Sequence, residues 1–530
     1  MTNAWDEVRA AIEAEDAAAV AVLVAGFDDA RRREVARELP GHLPVAREAG
    51  ERRDAERSRA FHARWDELRA EAARTRREIF ELPGAETLYI REATRRWIEP
   101  LRVAGAGVLP GAAAVASWLD RRDLARGRDP GGTGAADDVP LILQVVAARP
   151  VAWRQDLAVR LALRLRGTRP EPDQRVRLAL ELLRATGAEP PVHDPLTLAW
   201  IAATRPGDLA ADPLLDAMVP RLFEAEGAGR ILGNGNGNGN GNGDGDGDGD
   251  GGGDDWPAAL AALAADGRIR RESLLAGCRS RFLRGGQAAA QRPFVRLHER
   301  LDPAPEETAP HRDDYLALLP AAAANVADLA LKQVRRLGPV PPGRAAEAVR
   351  GLLFRTEGRL VRAGLAWLDR LLKDASGEPG GLDGLGSLGD LDDLDDYAPA
   401  LAAALSCASG EARERAVRLA LEHSGRFTPA GAEVIRDAVA ALPAYQGAEL
   451  AAVFGGEVAA EPEPARFVPA QLPSVPEPAP MFPPVRDPER LLRPGLTGSG
   501  GTDAELWLDG FVRLAAGPAG GPARSAGRAP

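Results

Sequence analysis

The strongest constraint on this chain is a recurring local pattern: short apolar stretches at helical spacing, each closed by glycine or proline. Val176, Ala179, Leu180 and Leu183 hold one helical face, and Leu178 and Leu182 widen it sideways. A helix with so broad an apolar surface must be covered on two sides. Interior helices of an α-solenoid meet that condition, because each lies between its own pair-mate and the next unit. The pentapeptide Val-Arg-Leu-Ala-Leu occurs at Val159 to Leu163, Val176 to Leu180 and Val417 to Leu421, which is a trace of internal repetition. Hydrophobic residues make up 45% of the chain but aromatics only 5%, so the core has to be built from Ala, Leu and Val, the composition of closely packed helices. The fold class expected is all-α, a solenoid of stacked helix pairs.

Low-complexity segments divide the chain. A first helical repeat block is expected over 1–232, with stops at Gly26, at Pro40-Gly41, and at Gly105, Gly107 and Pro110-Gly111. The alternating Gly/Asn and Gly/Asp run of 233–255 cannot bury apolar surface, and it reads as a disordered tether spanning about 25 Å. A second helical block follows at 256–375, then a Gly/Leu/Asp insert at 376–396. There Leu382, Leu385, Leu388, Leu391 and Leu394 are spaced by three, which drifts around a helix and defines no face. Further helical repeats are expected at 397–456. Segment 457–500, with eleven prolines between Glu461 and Pro494, should be extended as a linker or docking peptide. A short amphipathic helix at 501–516 carries Leu506, Trp507, Phe511 and Leu514, and 517–530 reads as a disordered tail.

From about Ser58 to Ile79, within and just beyond the charged stretch Glu51 to Glu78, the apolar positions Phe61, Trp65, Leu68, Ala72 and Ile79 form one seam. Asp54 with Arg57, Glu56 with Arg59, Asp66 with Arg69 and Glu71 with Arg74 are each three apart, so the charges should pair along the helix rather than offer a stripe to nucleic acid. A net charge of −11 points the same way. Only Lys332 and Lys373 are lysines; the other 65 of the 67 basic residues are arginine, as GC-rich coding produces. The opening MTNAWDEVRAAIEAED has acids where a secretion signal needs a basic, apolar start, and no apolar run reaches the ~18 residues of a membrane span. Cytoplasmic location and no membrane association are the expectations. Cys278 and Cys407 are too few and too far apart for a disulfide framework or a Cys-x-x-Cys site.

Candidate chemistry is sparse. Asp244, Asp246, Asp248 and Gly249 match the opening of a calcium loop, with Asp255 at its twelfth position, but the same two-residue period in the preceding Gly/Asn run makes the match a product of the repeat. Asp392, Asp393 and Asp396 fit the Asp-Asp-x-x-Asp pattern that holds magnesium and diphosphate in helical prenyl-transferring enzymes, yet no second ligand set accompanies them. His298-Glu299 opens a zincin pattern whose second histidine is replaced by Asp302, which leaves His298 as a structural or surface residue. No lysine follows a glycine and no Gly-x-Ser-x-Gly is present, so phosphate-loop and nucleophile-elbow chemistry are excluded. Trp97, Trp118, Trp153, Trp200 and Trp367, each alone among Leu and Ala, read as packing anchors. No catalytic, cofactor-binding or metal residue is assigned.

The run Arg268 to Leu337, with ESLLAGCRSRFLRGG, PFVRLHERLDP, DYLALLP and NVADLALKQVRRLG, resembles an uncharacterised family of large helical proteins from GC-rich bacteria, a domain of unknown function. LPSVPEPAPMFPPV and, more loosely, RRWIEPLRVAGAG resemble the same family. The resemblance implies a HEAT-like helical array without an assigned activity. The resemblance implies a longer chain beyond the proline-rich segment, so a truncated or frame-shifted C-terminus is one expectation, under which a domain that carries activity in longer relatives would be missing here. The function expected is a non-catalytic scaffold or adaptor that binds other proteins; the alternatives are an enzyme with an unrecognised site between helices and a nucleic-acid-associated repeat protein.

Overall fold

Short polar side chains set several of the helix starts. Asn3 accepts from the Trp5 amide at 2.8 Å and Asp16 from the Ala19 amide at 2.8 Å, opening helices Ala4–Glu13 and Ala17–Ala25. Ser409 and Thr428 do the same for Gly410–Glu422 and Pro429–Ala438. Each satisfies an amide that the helix cannot, which contributes about 1 kcal/mol. Proline in the first turn opens Val139–Ala147, Asp194–Ala203 and Trp256–Ala265, where the missing N–H costs nothing.

The computed structural model describes residues 3–75, 95–125, 137–167, 174–233, 255–374, 394–460 and 507–512. Every regular element among them is helical. No described helix is long and apolar enough to cross a membrane. Residues Met1–Glu461 form one compact unit. In the second unit, Pro462–Pro530, residues 507–512 are helical, with the Trp507 and Phe511 rings stacked 5.3 Å apart.

Helix Asp29–Thr75 contains Pro40 and Pro44 without ending there, against the stop expected at Pro40-Gly41. Both prolines and Gly41 are exposed, while Val35, Leu39, Leu43, Ala46 and Gly50 are buried along the opposite face. The carbonyls that proline leaves unbonded therefore meet water, and burial of the other face holds the helix together. The seam read in its second half is also visible: Phe61 and Trp65 are half-buried and Leu68 and Ala72 buried, while Ile79 lies outside the described residues. Of the expected charge pairs, Asp54–Arg57 forms at 2.5 Å. Arg69 instead lies over the Trp65 ring and Arg64 pairs with Glu67 at 2.7 Å.

Gly105 and Gly107 do not separate helices; both lie inside Ile98–Val108, and the break falls only at Pro110-Gly111. Their role is close approach. A Cβ on Gly105 would enter the Trp118 indole and one on Gly107 would strike Val24. Helix Ile98–Val108 is thereby covered on several sides, by Ala17–Ala25, Asp29–Thr75, Ala112–Leu119 and Val139–Ala147.

Packing follows chain order. Ala112–Leu119 meets Val151–Ala162, which meets Gln174–Thr186; these last two helices carry the first two copies of the repeated pentapeptide. Leu215–Glu224 packs on Arg271–Arg284, and Ala228–Gly233 on Ala288–Leu301, so helices on either side of 234–254 share one core. The tether read over 233–255 lies, apart from its two end residues, outside the described residues. Ala288–Leu301 passes to Ala324–Arg336, and Pro342–Leu353 to Gly358–Asp374 and Ala398–Leu405. The insert's residues 376–393 are likewise outside, but Leu394 is buried and Asp395 accepts from the Thr428 amide at 3.0 Å. Trp97, Trp118, Trp200 and Trp367 are buried, and half-buried Trp153 donates to the Pro110 carbonyl at 2.9 Å.

Candidate binding site

Helix Ala288–Leu301 buries Phe294, Leu297, His298 and Leu301 and ends at Asp302, whose φ of 38° lies in the left-handed region that Asp tolerates. The Asp302 amide reaches back to the His298 and Glu299 carbonyls, at 3.2 and 3.1 Å, and Pro303 prevents continuation. Helix Ala324–Arg336 packs alongside through Val326, Ala327, Ala330 and Val334. Between the two, a cavity of about 410 Å³ opens, walled by Pro303 and Leu329 and by the side chains of Glu299, Asp302, Lys332, Gln333, Arg335 and Arg336. That volume is in the range of small-molecule and peptide side-chain pockets.

Charge in this cavity is nearly, but not fully, matched. Lys332 pairs with Glu299 at 3.3 Å and Arg336 with Asp302 at 2.8 Å. Arg335 donates from Nη2 to the Ala363 carbonyl at 2.9 Å. Its Nε is buried without a partner, and no carboxylate pairs with it among the described residues. Burial, reinforced by the charge of Arg370, holds its pKa below the ordinary arginine range; the guanidinium nevertheless stays charged at any physiological pH. Gln333 is 5% exposed, and its Oε1 accepts from no donor among the described residues. An unsatisfied buried amide oxygen costs about 1–3 kcal/mol, so both features favour a ligand that satisfies them.

Behind this wall, His298 is fully buried, with Nε2 2.8 Å from the Tyr315 hydroxyl and Nδ1 without a partner. Burial, with the charges of Arg336, Arg271 and Arg279, pushes its pKa down to about 4. Burial pushes the Tyr315 hydroxyl up to about 12 and the Cys278 thiol upward as well. A neutral imidazole, an un-ionised phenol and a protonated thiol sealed from solvent supply no activated nucleophile near pH 7. The cluster is structural.

Two further buried polar centres hold helices together. Arg102 Nε meets Asp138 Oδ2 at 2.6 Å, and its Nη1 reaches the Leu119 carbonyl at 3.2 Å. Asp212 accepts from Arg184 at 2.8 and 3.2 Å, from Trp200 Nε1 at 2.9 Å and from the Leu214 amide at 3.0 Å. These hydrogen bonds hold its pKa down against the opposing effect of burial.

Of the sequence candidates, Asp244, Asp246, Asp248 and Gly249 lie outside the described residues, as do Asp392 and Asp393. Asp255 pairs with Arg300 at 2.6 Å, and Asp396 sits in the short turn Asp395–Tyr397. Cys278 and Cys407 are both buried and unbridged. No group of three or more His, Cys, Asp or Glu side chains among the described residues could hold a metal. Glu299 and Asp302, weighed only as a broken zincin pattern, instead line the cavity. No sequence motif marks Gln333 or Arg335 as a site residue. The signal for Gln333 was its place at helical spacing after Val326 and Ala330 and before Leu337, a polar residue on the apolar face. Comparison with protein-family models, with curated proteins and with solved structures yields no match.

Proposed function

We propose that this chain is a non-catalytic interaction scaffold: a HEAT-like helical array of the cytoplasm, of the uncharacterised family it resembles, that binds other proteins through its helical surface. The observation that carries this reading is the order of packing, in which helices meet chiefly those near them in sequence, from Ala112–Leu119 through Gln174–Thr186 and on to Ala398–Leu405. Such an array leaves a continuous outer surface for contact. Two of the buried polar centres support it as well: Asp212 is held by hydrogen bonds from Arg184, Trp200 and the Leu214 amide, and burial keeps His298 neutral near pH 7. The proline-rich stretch 457–500 offers a second docking element by its sequence.

Purification of the full chain from its native source, followed by quantitative mass spectrometry and hydrogen-exchange mapping, tests the reading. A stoichiometric protein partner that protects a contiguous set of helices is the expected result. A chain that remains alone at every concentration, or that turns over a small molecule, overturns it.

A further inference from the structure

The cavity between Ala288–Leu301 and Ala324–Arg336 carries one positive charge more than it can satisfy. Lys332 and Arg336 are matched by Glu299 and Asp302, whereas among the described residues Arg335 has only the Ala363 carbonyl. Beside it, the buried Gln333 lacks a donor for Oε1 among the described residues. We propose that this cavity binds a single carboxylate, held by Arg335, on a carrier that also donates an N–H or O–H to Gln333, with its carbon chain against Leu329 and Pro303.

Charge selects the carboxylate. One surplus cation is balanced by a monoanion, whereas a phosphate dianion would leave net negative charge beside Glu299 and Asp302. The planar guanidinium also suits the planar carboxylate. The donor requirement excludes acetate as a full ligand, because it would leave the Gln333 oxygen unsatisfied. Two sources share this chemistry: a glutamate side chain of a partner protein, whose backbone amides supply the donor, and a free hydroxy acid. The proposal goes beyond the scaffold reading, since a free acid would fill the same site.

Calorimetric titration of the full chain distinguishes these possibilities, with N-acetylglutamate N-methylamide and 3-hydroxybutyrate as probes. The N-methylamide of N-acetylglutamine, acetate and inorganic phosphate are the controls. Saturable binding of at least one probe, at least about tenfold tighter than any control, is expected. Arg335→Gln should abolish it, and Gln333→Leu, which places an apolar side chain among apolar neighbours, should weaken it about tenfold while leaving acetate unaffected. Preference for the glutamate probe assigns the site to a partner's side chain, and preference for 3-hydroxybutyrate assigns it to a free acid. No saturation on the order of 10 mM, equal binding of phosphate, or binding unchanged in both variants overturns the proposal. A protein partner whose binding survives both variants leaves the scaffold reading standing and removes this site from it.

Discussion

Arg102 and Asp138 meet at 2.6 Å with side chains 3% and 0% exposed, joining Ile98–Val108 to the start of Val139–Ala147 across 36 residues of sequence. Removing either charge leaves the other buried and unpaired, which costs about 3–5 kcal/mol. Asp138→Ala should therefore lower the denaturation midpoint steeply. The double variant Arg102→Met, Asp138→Leu should recover most of that loss, because an apolar pair needs no desolvation. Urea denaturation followed by tryptophan fluorescence checks both; a double variant no better than the single one would contradict this account.

Trp118 lies directly over Gly105, leaving no room for a methyl group. Gly105→Ala should destabilise by about 1–3 kcal/mol through overpacking, even though alanine is the better helix former. If the same denaturation measurement shows stabilisation, helix propensity outweighs the clash and the close contact is wrong.

Pro40 and Pro44 present the opposite case, because both are exposed inside a helix. Replacing each with alanine restores a backbone donor and should stabilise by about 1–3 kcal/mol per site. Circular dichroism should show increased helicity and a higher melting midpoint; unchanged stability would mean that the helix yields locally there.

The pKa of His298 is about 4 in the folded chain against an ordinary 6.5. Between those values the unfolded chain takes up a proton that the folded chain refuses, so this stability is fully present above pH 6.5 and is lost as pH falls toward 4. Its full extent is about 3 kcal/mol. Denaturation midpoints at pH 4.5 and 7.5 should differ less in His298→Gln than in the parent chain. An equal pH difference in both would show that His298 is accessible to protons when folded.

Sequence alone determined the helical class, because composition and 3.6-residue periodicity act locally. It also determined individual features with local causes: the break at Pro110-Gly111, the burial order Phe61, Trp65, Leu68 and Ala72, and the packing role of most tryptophans. Tertiary structure decided what depends on which face a residue presents. Pro40 continues a helix because its side faces water, and Gly105 stays within one because Trp118 needs the space. The candidate site belongs to this second kind. Arg335 is one arginine among 65 in the sequence, and only the packing of Ala324–Arg336 against Ala288–Leu301 pairs its neighbours with Glu299 and Asp302 and leaves it unmatched. Charge balance within a cavity is a sum over distant residues, and no local pattern carries that sum.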